Sequence, residues 1–156
     1  MARIAFVFSG QGAQKPGMGK ELYENAPASA EMFDTFEKLR PGTLRQCFEG
    51  PADQLNLTEN TQPCLYAMEM GAAAALVAQG VNCEAVAGFS LGELSALAFS
   101  GAVDPEKGFL MVMKRAQLMA LDSLENPGSM AAILKLPSER VEEICSSLQE
   151  AWPVNY

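Results

Sequence analysis

The spacing of apolar and polar residues predicts a strand, a glycine-rich loop and a helix at the start of the chain. Ile4 to Phe8 is a continuous apolar run, which is typical of a strand buried on both faces inside a parallel sheet. A polar loop interrupted by glycines follows it. The apolar residues of segment 28–39 then recur near helical spacing and stop before Pro41-Gly42, so this segment predicts a helix.

The middle of the chain continues the alternation. Thr61-Gln62-Pro63 places a proline at the first position of a predicted helix that is apolar nearly all round and ends at Gly80. Residues 84–88 predict a short strand and residues 91–99 a helix. Asp104-Pro105 predicts the capped start of another helix. This order of strands and helices predicts an α/β architecture.

A second, smaller unit is expected after the break at Asn126-Pro127-Gly128. Residues 129–136 predict a strand, residues 137–148 a helix with one apolar face, and residues 152–156 the beginning of another strand. So short a segment cannot bury a core of its own. We therefore expect a large domain over residues 1–126 and the truncated start of a small one over residues 127–156.

Composition excludes several classes of protein. The 156 residues are 49% hydrophobic and 19% charged, as in an ordinary globular domain. Lys and Arg total 11 against 19 Asp and Glu, a net charge of -8 that disfavours nucleic acid and anionic membranes as partners. No apolar run is long enough for a membrane span or a signal peptide. Four scattered cysteines predict reduced, buried thiols in a cytoplasmic protein, and without histidine a metal site is not expected.

Gly88-Phe89-Ser90-Leu91-Gly92 is the pattern G-x-S-x-G, placed between a predicted strand and a predicted helix. That setting predicts a strained turn that exposes the Ser90 oxygen as a nucleophile. The turn also puts Ser90 at a helix N-terminus, where the backbone N–H of Leu91 can face the oxygen of an attacked carbonyl. The plain alternative is an ordinary serine in a loop before a helix.

A second candidate region is the loop Gly10-Gln11-Gly12-Ala13-Gln14 at the carboxyl end of the first strand. Ligands of open α/β sheets gather beyond the carboxyl ends of strands, so this loop and the Ser90 turn should border one crevice. Gln11 offers a neutral amide donor that can stabilise an oxyanion. The alternative is a glycine-rich connector that carries a polar residue.

These motifs resemble the malonyl-CoA:acyl carrier protein transacylase family. Four blocks carry the resemblance in the family's order, and segments 128–132 and 154–156 look like its next two; the blocks are residues 6–14, 58–63, 88–93 and 114–119. The resemblance covers the whole chain. It implies an α/β-hydrolase-like parallel sheet with helices on both faces, followed by a small ferredoxin-like α+β subdomain.

The resemblance also implies a two-step reaction. A serine, here Ser90, takes malonyl from malonyl-CoA as an ester and yields it to the phosphopantetheine thiol of acyl carrier protein, in fatty-acid synthesis. Gln11 and the Leu91 N–H correspond to the oxyanion hole. No bound cofactor and no metal are implied.

Two further residues correspond to substrate-binding positions of the family. Arg115 matches the arginine that grips the free malonyl carboxylate, a role that suits a guanidinium because it bonds a carboxylate with two parallel hydrogen bonds. Its alternative is a solvated charge beside Lys114. Gln62 is a weaker candidate for lining the pocket, and its alternative is to cap the helix that begins at Pro63.

Three features depart from the family pattern. Phe89 stands where the family has histidine, Ser9 stands where it has proline, and the chain contains no histidine to act as base for Ser90. One explanation is a fragment whose missing C-terminal half supplies the catalytic histidine. The other is a short protein with a different base, such as lysine.

Other functions stay open at this point. A polyketide extender-unit acyltransferase would use the same motifs with a pocket reshaped by Phe89. An α/β-hydrolase esterase would pass the acyl group to water. An inactive fragment would bind a partner without turnover.

Overall fold

The computed structural model describes residues 3–154 and divides into two compact units between residues 125 and 126. The first unit carries two strands and all helices but one. Its elements are β1 Ala5–Phe8, α1 Lys20–Asn25, α2 Pro27–Leu39, α3 Thr43–Glu49, α4 Ala52–Leu55, α5 Thr58–Ala78, β2 Ala85–Gly88, α6 Gly92–Phe99 and α7 Pro105–Glu125. The second unit carries α8, Ser138–Ser147.

The two strands form a small parallel sheet. β1 pairs with β2 in the register Ala5 to Ala85 and Phe8 to Gly88. Because the strands are parallel, the chain must cross over between them, and helices α1 to α5 form that crossover. The predicted α/β architecture is confirmed.

Burial of the first strand on both faces was a wrong expectation. Phe6 and Phe8 are buried against Ala73, Ala96 and Phe99, but Val7 between them is 76% exposed. Successive side chains of a strand point to opposite faces, and the described part of the chain covers only the face of the two phenylalanines.

Helix α5 is the central helix of the first unit, and its deep packing is confirmed for residues 61–71, whereas Leu76 and Val77 near its end are exposed. Its predicted start at Pro63 is wrong, since the helix begins at Thr58. The N–H groups of Asn60 and Thr61 both donate to the Leu57 carbonyl at 2.8 Å, which forms a first turn ahead of the proline. Its predicted end is confirmed by Gly80, whose φ is +81°.

Helix α7 is anchored at its start. The Asp104 carboxylate accepts the backbone N–H groups of Glu106 at 3.0 Å and Lys107 at 3.2 Å, which confirms the predicted cap. The ring of Phe109 stacks on Phe36 of α2 with centroids 4.8 Å apart. This contact orients α7, which carries Arg115 of the candidate site further along the helix.

The second unit forms no strand among its described residues. The strands expected at 129–136 and 152–154 are absent there, and Asn155 and Tyr156 lie outside the described residues. A strand needs a neighbour to pair its backbone groups, and none is available within this unit. The apolar side chains stay exposed, with Met130 at 82% and Trp152 at 73%, as expected of a segment without its own core.

Two further expectations concern the cysteines and the membrane. All four cysteines are free thiols, but only Cys47 and Cys64 are buried, while Cys83 and Cys145 are half-buried. The expectation of burial was therefore wrong for the second pair, which lies on partly exposed segments. Among residues 3–154, no helix combines the length and the apolar character needed to cross a membrane.

Candidate active site

Ser90 occupies a strained turn between β2 and α6. Its φ is +54°, a left-handed conformation that a residue other than glycine adopts only at a cost. The flanking glycines make the turn possible. A Cβ on Gly88 would lie 2.0 Å from the Gly92 carbonyl oxygen, and one on Gly92 would lie 2.2 Å from the Phe8 carbonyl oxygen. The predicted turn is therefore formed, and β1 packs directly beneath it.

The turn presents an exposed hydroxyl and a free backbone donor. The Ser90 side chain is exposed, whereas the Leu91 side chain is fully buried and anchors the start of α6. Within residues 3–154 the Leu91 N–H donates no hydrogen bond. It lies at the N-terminal end of α6, where the helix dipole favours negative charge. Such a donor can bind a developing oxyanion.

Arg115 reaches Ser90 from helix α7. Its Nη2 donates to the Ser90 Oγ at 3.0 Å, and its Nη1 donates to the Gln62 Oε1 at 2.7 Å. Arg115 is half-buried, whereas the neighbouring Lys114 is exposed. The solvated charge considered for Arg115 does not describe this geometry, because the guanidinium is hydrogen-bonded to Gln62 and Ser90.

Gln62 connects Arg115 to the glycine-rich loop. It is fully buried, and its Nε2 donates to the Gln11 Oε1 at 3.4 Å and to the Met119 Sδ at 3.2 Å. The alternative role as a helix cap is wrong, because α5 begins at Thr58, ahead of this residue, and has no side-chain cap.

The Gln11 loop is tied to the start of α5. The Gln11 Nε2 donates to the Thr58 Oγ1 at 3.2 Å. The Gln14 Oε1 accepts the Gly12 N–H at 2.7 Å, and its Nε2 donates to the Asn56 Oδ1 at 2.8 Å. The side chains of Ser90, Arg115, Gln62 and Gln11 thus form one continuous chain of hydrogen bonds.

The Phe89 side chain packs against Gly10 of the glycine-rich loop. Its ring is 56% exposed and lies so close to Gly10 that a Cβ there would be 2.6 Å from Phe89 Cδ1. Gly10 leaves room for the ring. An exposed apolar residue therefore directly precedes Ser90, at the position where the family pattern has histidine.

Sequence reasoning missed one polar cluster next to the site. The Glu69 carboxylate accepts hydrogen bonds from the hydroxyls of Ser9 and Ser95, each at 2.6 Å. Burial raises the pKa of the Glu69 carboxyl, while the serine hydrogen bonds act in the opposite direction. One signal was available, since Glu69 is the single charged residue between Asn60 and Ala78, in an otherwise apolar helix.

A groove of about 340 Å³ runs along β1 and α5, lined in part by Val7, Ser9, Glu69 and Leu76. Ser90 does not line this groove. Among residues 3–154, no cluster of three or more His, Cys, Asp or Glu side chains is arranged to hold a metal ion.

The geometry supports acyl transfer in part. It places the Arg115 guanidinium at the exposed Ser90 hydroxyl and, among residues 3–154, leaves the Leu91 N–H free to donate. The 156 residues contain no histidine, the side chain that most often takes the proton of a serine nucleophile.

Known proteins resemble this chain in sequence over most of its length. The sequence profile described as the acyl transferase domain matches residues 5–148. A malonyl CoA-acyl carrier protein transacylase of Bacillus subtilis is 38% identical over 151 residues, which are 96% of this chain and 48% of that protein. The chain therefore spans about half the length of the curated relatives that it matches.

Solved structures agree with the sequence comparison. A malonyl-CoA:ACP transacylase of Synechocystis superposes with a TM-score of 0.86 at 35% identity, over 96% of this chain and 50% of that one. The acyltransferase domain from the second module of the salinomycin polyketide synthase gives a TM-score of 0.73 at 37% identity, over 77% of this chain and 29% of that one. With the profile match over most of its length, the chain belongs to the acyl transferase domain family.

Proposed function

We propose that this chain carries the nucleophile of an acyltransferase that moves malonyl from malonyl-CoA to the phosphopantetheine thiol of acyl carrier protein, in fatty-acid synthesis in the cytoplasm. The observation that carries the proposal is the guanidinium of Arg115, 3.0 Å from the Ser90 oxygen. A cation beside the nucleophile suits an acyl group with a second carboxylate. An esterase that acts on uncharged acyl groups would gain nothing from a cation at this position.

In the first step, the Ser90 oxygen attacks the thioester carbonyl of malonyl-CoA, gives its proton to a base and expels the coenzyme A thiolate. The Leu91 N–H and the Gln11 amide stabilise the oxyanion of the tetrahedral intermediate. Arg115 turns from Ser90 to the malonyl carboxylate, while Gln62 holds its other nitrogen. In the second step, the phosphopantetheine thiol attacks the malonyl-serine ester and regenerates Ser90.

The base and the rest of the fold belong to our proposal for the complete protein. The chain covers 48% of its Bacillus subtilis relative, and we propose that a C-terminal half supplies a histidine base. In this proposal that half also completes an α/β-hydrolase-like sheet over the large domain 1–126 and finishes a ferredoxin-like subdomain begun by residues 127–156. The 76% exposure of Val7 and the 80% exposure of Leu124 fit apolar surfaces that such a half would cover. We propose no resident cofactor, since phosphopantetheine arrives on its carrier.

The direct experiment is to look for the malonyl-enzyme. Incubating the full-length protein with malonyl-CoA should add one malonyl group to Ser90, detected by mass spectrometry of the intact protein and of its peptides. Ser90→Ala should remain unmodified. Wild-type protein that acquires no adduct, or the same adduct on Ser90→Ala, would refute the proposal.

The role of Arg115 has its own prediction. Arg115→Ala should lower kcat/KM for malonyl-CoA by about 100-fold, because a charge-assisted contact to the carboxylate is lost. Acetyl-CoA should lose far less, since it lacks the carboxylate. Lys114→Ala, an exposed neighbour, is the matched control and should behave as wild type. Equal losses for both acyl groups would contradict the carboxylate role.

A second candidate is an extender-unit acyltransferase of polyketide synthesis. It is favoured by the 37% identity to the salinomycin synthase domain and by the apolar Phe89 beside the nucleophile. Competition among malonyl-CoA, methylmalonyl-CoA and acetyl-CoA separates the two candidates, because a polyketide-type pocket would prefer a branched extender unit. Malonyl preference supports the first.

A further inference from the structure

Glu69 connects three segments of the first unit. Its carboxylate lies on α5, and the residue is 6% exposed. Oε1 accepts a hydrogen bond from the Ser9 hydroxyl and Oε2 one from the Ser95 hydroxyl, each at 2.6 Å. Ser9 directly follows β1 and precedes the Gln11 loop, and Ser95 lies on α6, the helix that follows the Ser90 turn. One side chain thus joins both segments of the candidate site to α5.

The buried carboxylate depends on these two hydroxyls. Among residues 3–154, Glu69 forms no ion pair with Lys or Arg. A buried charge without a cation needs strong hydrogen bonds to offset its lost hydration, and short hydroxyl-to-carboxylate bonds are of that kind. Moving Ser9 or Ser95 away would leave a carboxylate oxygen unsatisfied, so both segments are held against α5.

The two held segments also touch each other. The Phe89 N–H donates to the Phe8 carbonyl at 3.0 Å, and Gly92 packs so closely on β1 that it leaves no space for a side chain. A shift of the Ser9 end of β1 or of α6 would therefore move Ser90 relative to Gln11. Small misplacements of reacting groups are costly in rate.

We propose that Glu69 is a positioning residue for the acyl transfer described above, setting the distance between the Gln11 loop and the Ser90 turn by bonding Ser9 and Ser95 at once. The inference rests on the proposed role of Ser90 as nucleophile. Glu69 touches no reacting atom and acts only through the two serines.

The test uses Glu69→Ala and Glu69→Gln in the full-length protein. Glu69→Ala removes both hydrogen bonds and should lower kcat for malonyl transfer by about 10- to 100-fold, with KM for malonyl-CoA nearly unchanged because Arg115 is untouched. Glu69→Gln should recover most of kcat, since an amide can accept from one hydroxyl and donate to the other. Glu59→Gln, on an exposed position of the same helix, is the matched control.

A second readout separates this inference from the choice of substrate. An uncharged fluorophosphonate probe labels an activated serine when the Ser90 oxygen displaces fluoride from phosphorus and its proton passes to the base. The labelling rate should follow the same order, with wild type near Glu69→Gln and Glu69→Ala slowest. If malonyl transfer is absent but labelling follows this order, the acyl donor is wrong and the positioning role stands. Equal labelling of wild type and Glu69→Ala overturns it.

Two single variants cover the case in which Glu69→Ala does not fold. Ser9→Ala and Ser95→Ala each remove one hydrogen bond and keep the carboxylate. Each should slow labelling and lower kcat in protein whose circular dichroism is unchanged. Unchanged rates in both would overturn the proposal.

Discussion

At the scale of single residues, Gln62 decides how Arg115 is held. It is fully buried and accepts the Nη1 of Arg115 at 2.7 Å, which leaves Nη2 to reach Ser90. A guanidinium on a long side chain loses several rotamers when it is fixed. The Gln62 carbonyl offsets this loss, so we expect it to orient Arg115 before substrate binds.

Gln62→Leu should therefore weaken malonyl-CoA binding. Leucine has similar volume but accepts no hydrogen bond, and a loss of about 1.4 kcal/mol would raise KM about tenfold. Steady-state kinetics with malonyl-CoA measures this effect. Gln79→Leu, an exposed change at the end of the same helix, should leave KM unaltered. A KM unchanged in Gln62→Leu would show that Arg115 is oriented without it.

At the scale of elements, the close approach of β1 to α6 fixes the Ser90 turn. Gly92 begins α6, and its backbone lies against the Phe8 and Ser9 carbonyls with no room for a side chain. The atoms in the way are backbone, which cannot rotate aside. The turn therefore depends on this glycine as strongly as on the serine.

We expect Gly92→Ala to lower the free energy of unfolding by about 2–3 kcal/mol, because an inserted methyl group forces the backbone apart. Urea denaturation followed by circular dichroism measures it. Gly128→Ala meets open space and should change stability by less than about 0.5 kcal/mol. Equal effects of the two substitutions would contradict the packing argument.

The start of α7 offers a second prediction at this scale. Asp104→Ala removes the acceptor of two backbone N–H groups and should cost about 1 kcal/mol of stability. Asp104→Asn should retain most of it, since asparagine caps helices nearly as well. Thermal denaturation of the two variants compares them directly. A loss in Asp104→Asn as large as in Asp104→Ala would indicate that charge, not capping, is what matters.

At the scale of the whole molecule, the buried carboxyl of Glu69 links stability to pH. Its pKa is raised by burial, so the folded state binds this proton more tightly than the unfolded state does. The contribution of Glu69 to stability is then fully present below its ordinary pKa and is lost as pH rises through the raised value.

The difference in unfolding free energy between wild type and Glu69→Gln should therefore fall as pH rises from the ordinary carboxyl range through the raised pKa of Glu69. Urea denaturation of both proteins at several pH values gives this difference, and the glutamine variant cancels the titration of the other groups. A difference that is constant with pH, or that grows, would contradict the raised pKa.

Much of the fold and about half of the site could be predicted, because these parts form through interactions between residues that are close in sequence. The Ser90 turn, the Asp104 cap and the Gly80 helix end each need residue types at fixed spacing. The start of α5 could not be predicted from Pro63, since Leu57 bonds form a turn ahead of it. The exposure of Val7 could not be predicted either, because the sequence of a strand does not show which of its two faces packs against another element.

The sequence by itself thus determined the glycine-flanked turn at Ser90, between a strand and a helix, since the interactions that create it lie within a few residues. Only the tertiary structure decided that Arg115 reaches Ser90, that Gln62 binds Arg115 instead of capping a helix, and that Glu69 bonds Ser9 and Ser95. These contacts join residues 25 to 60 positions apart, and their geometry depends on how whole helices pack. A strand likewise needs a partner strand, which a distant part of the chain supplies. Residues 129–136 have no such partner among residues 3–154 and form no strand.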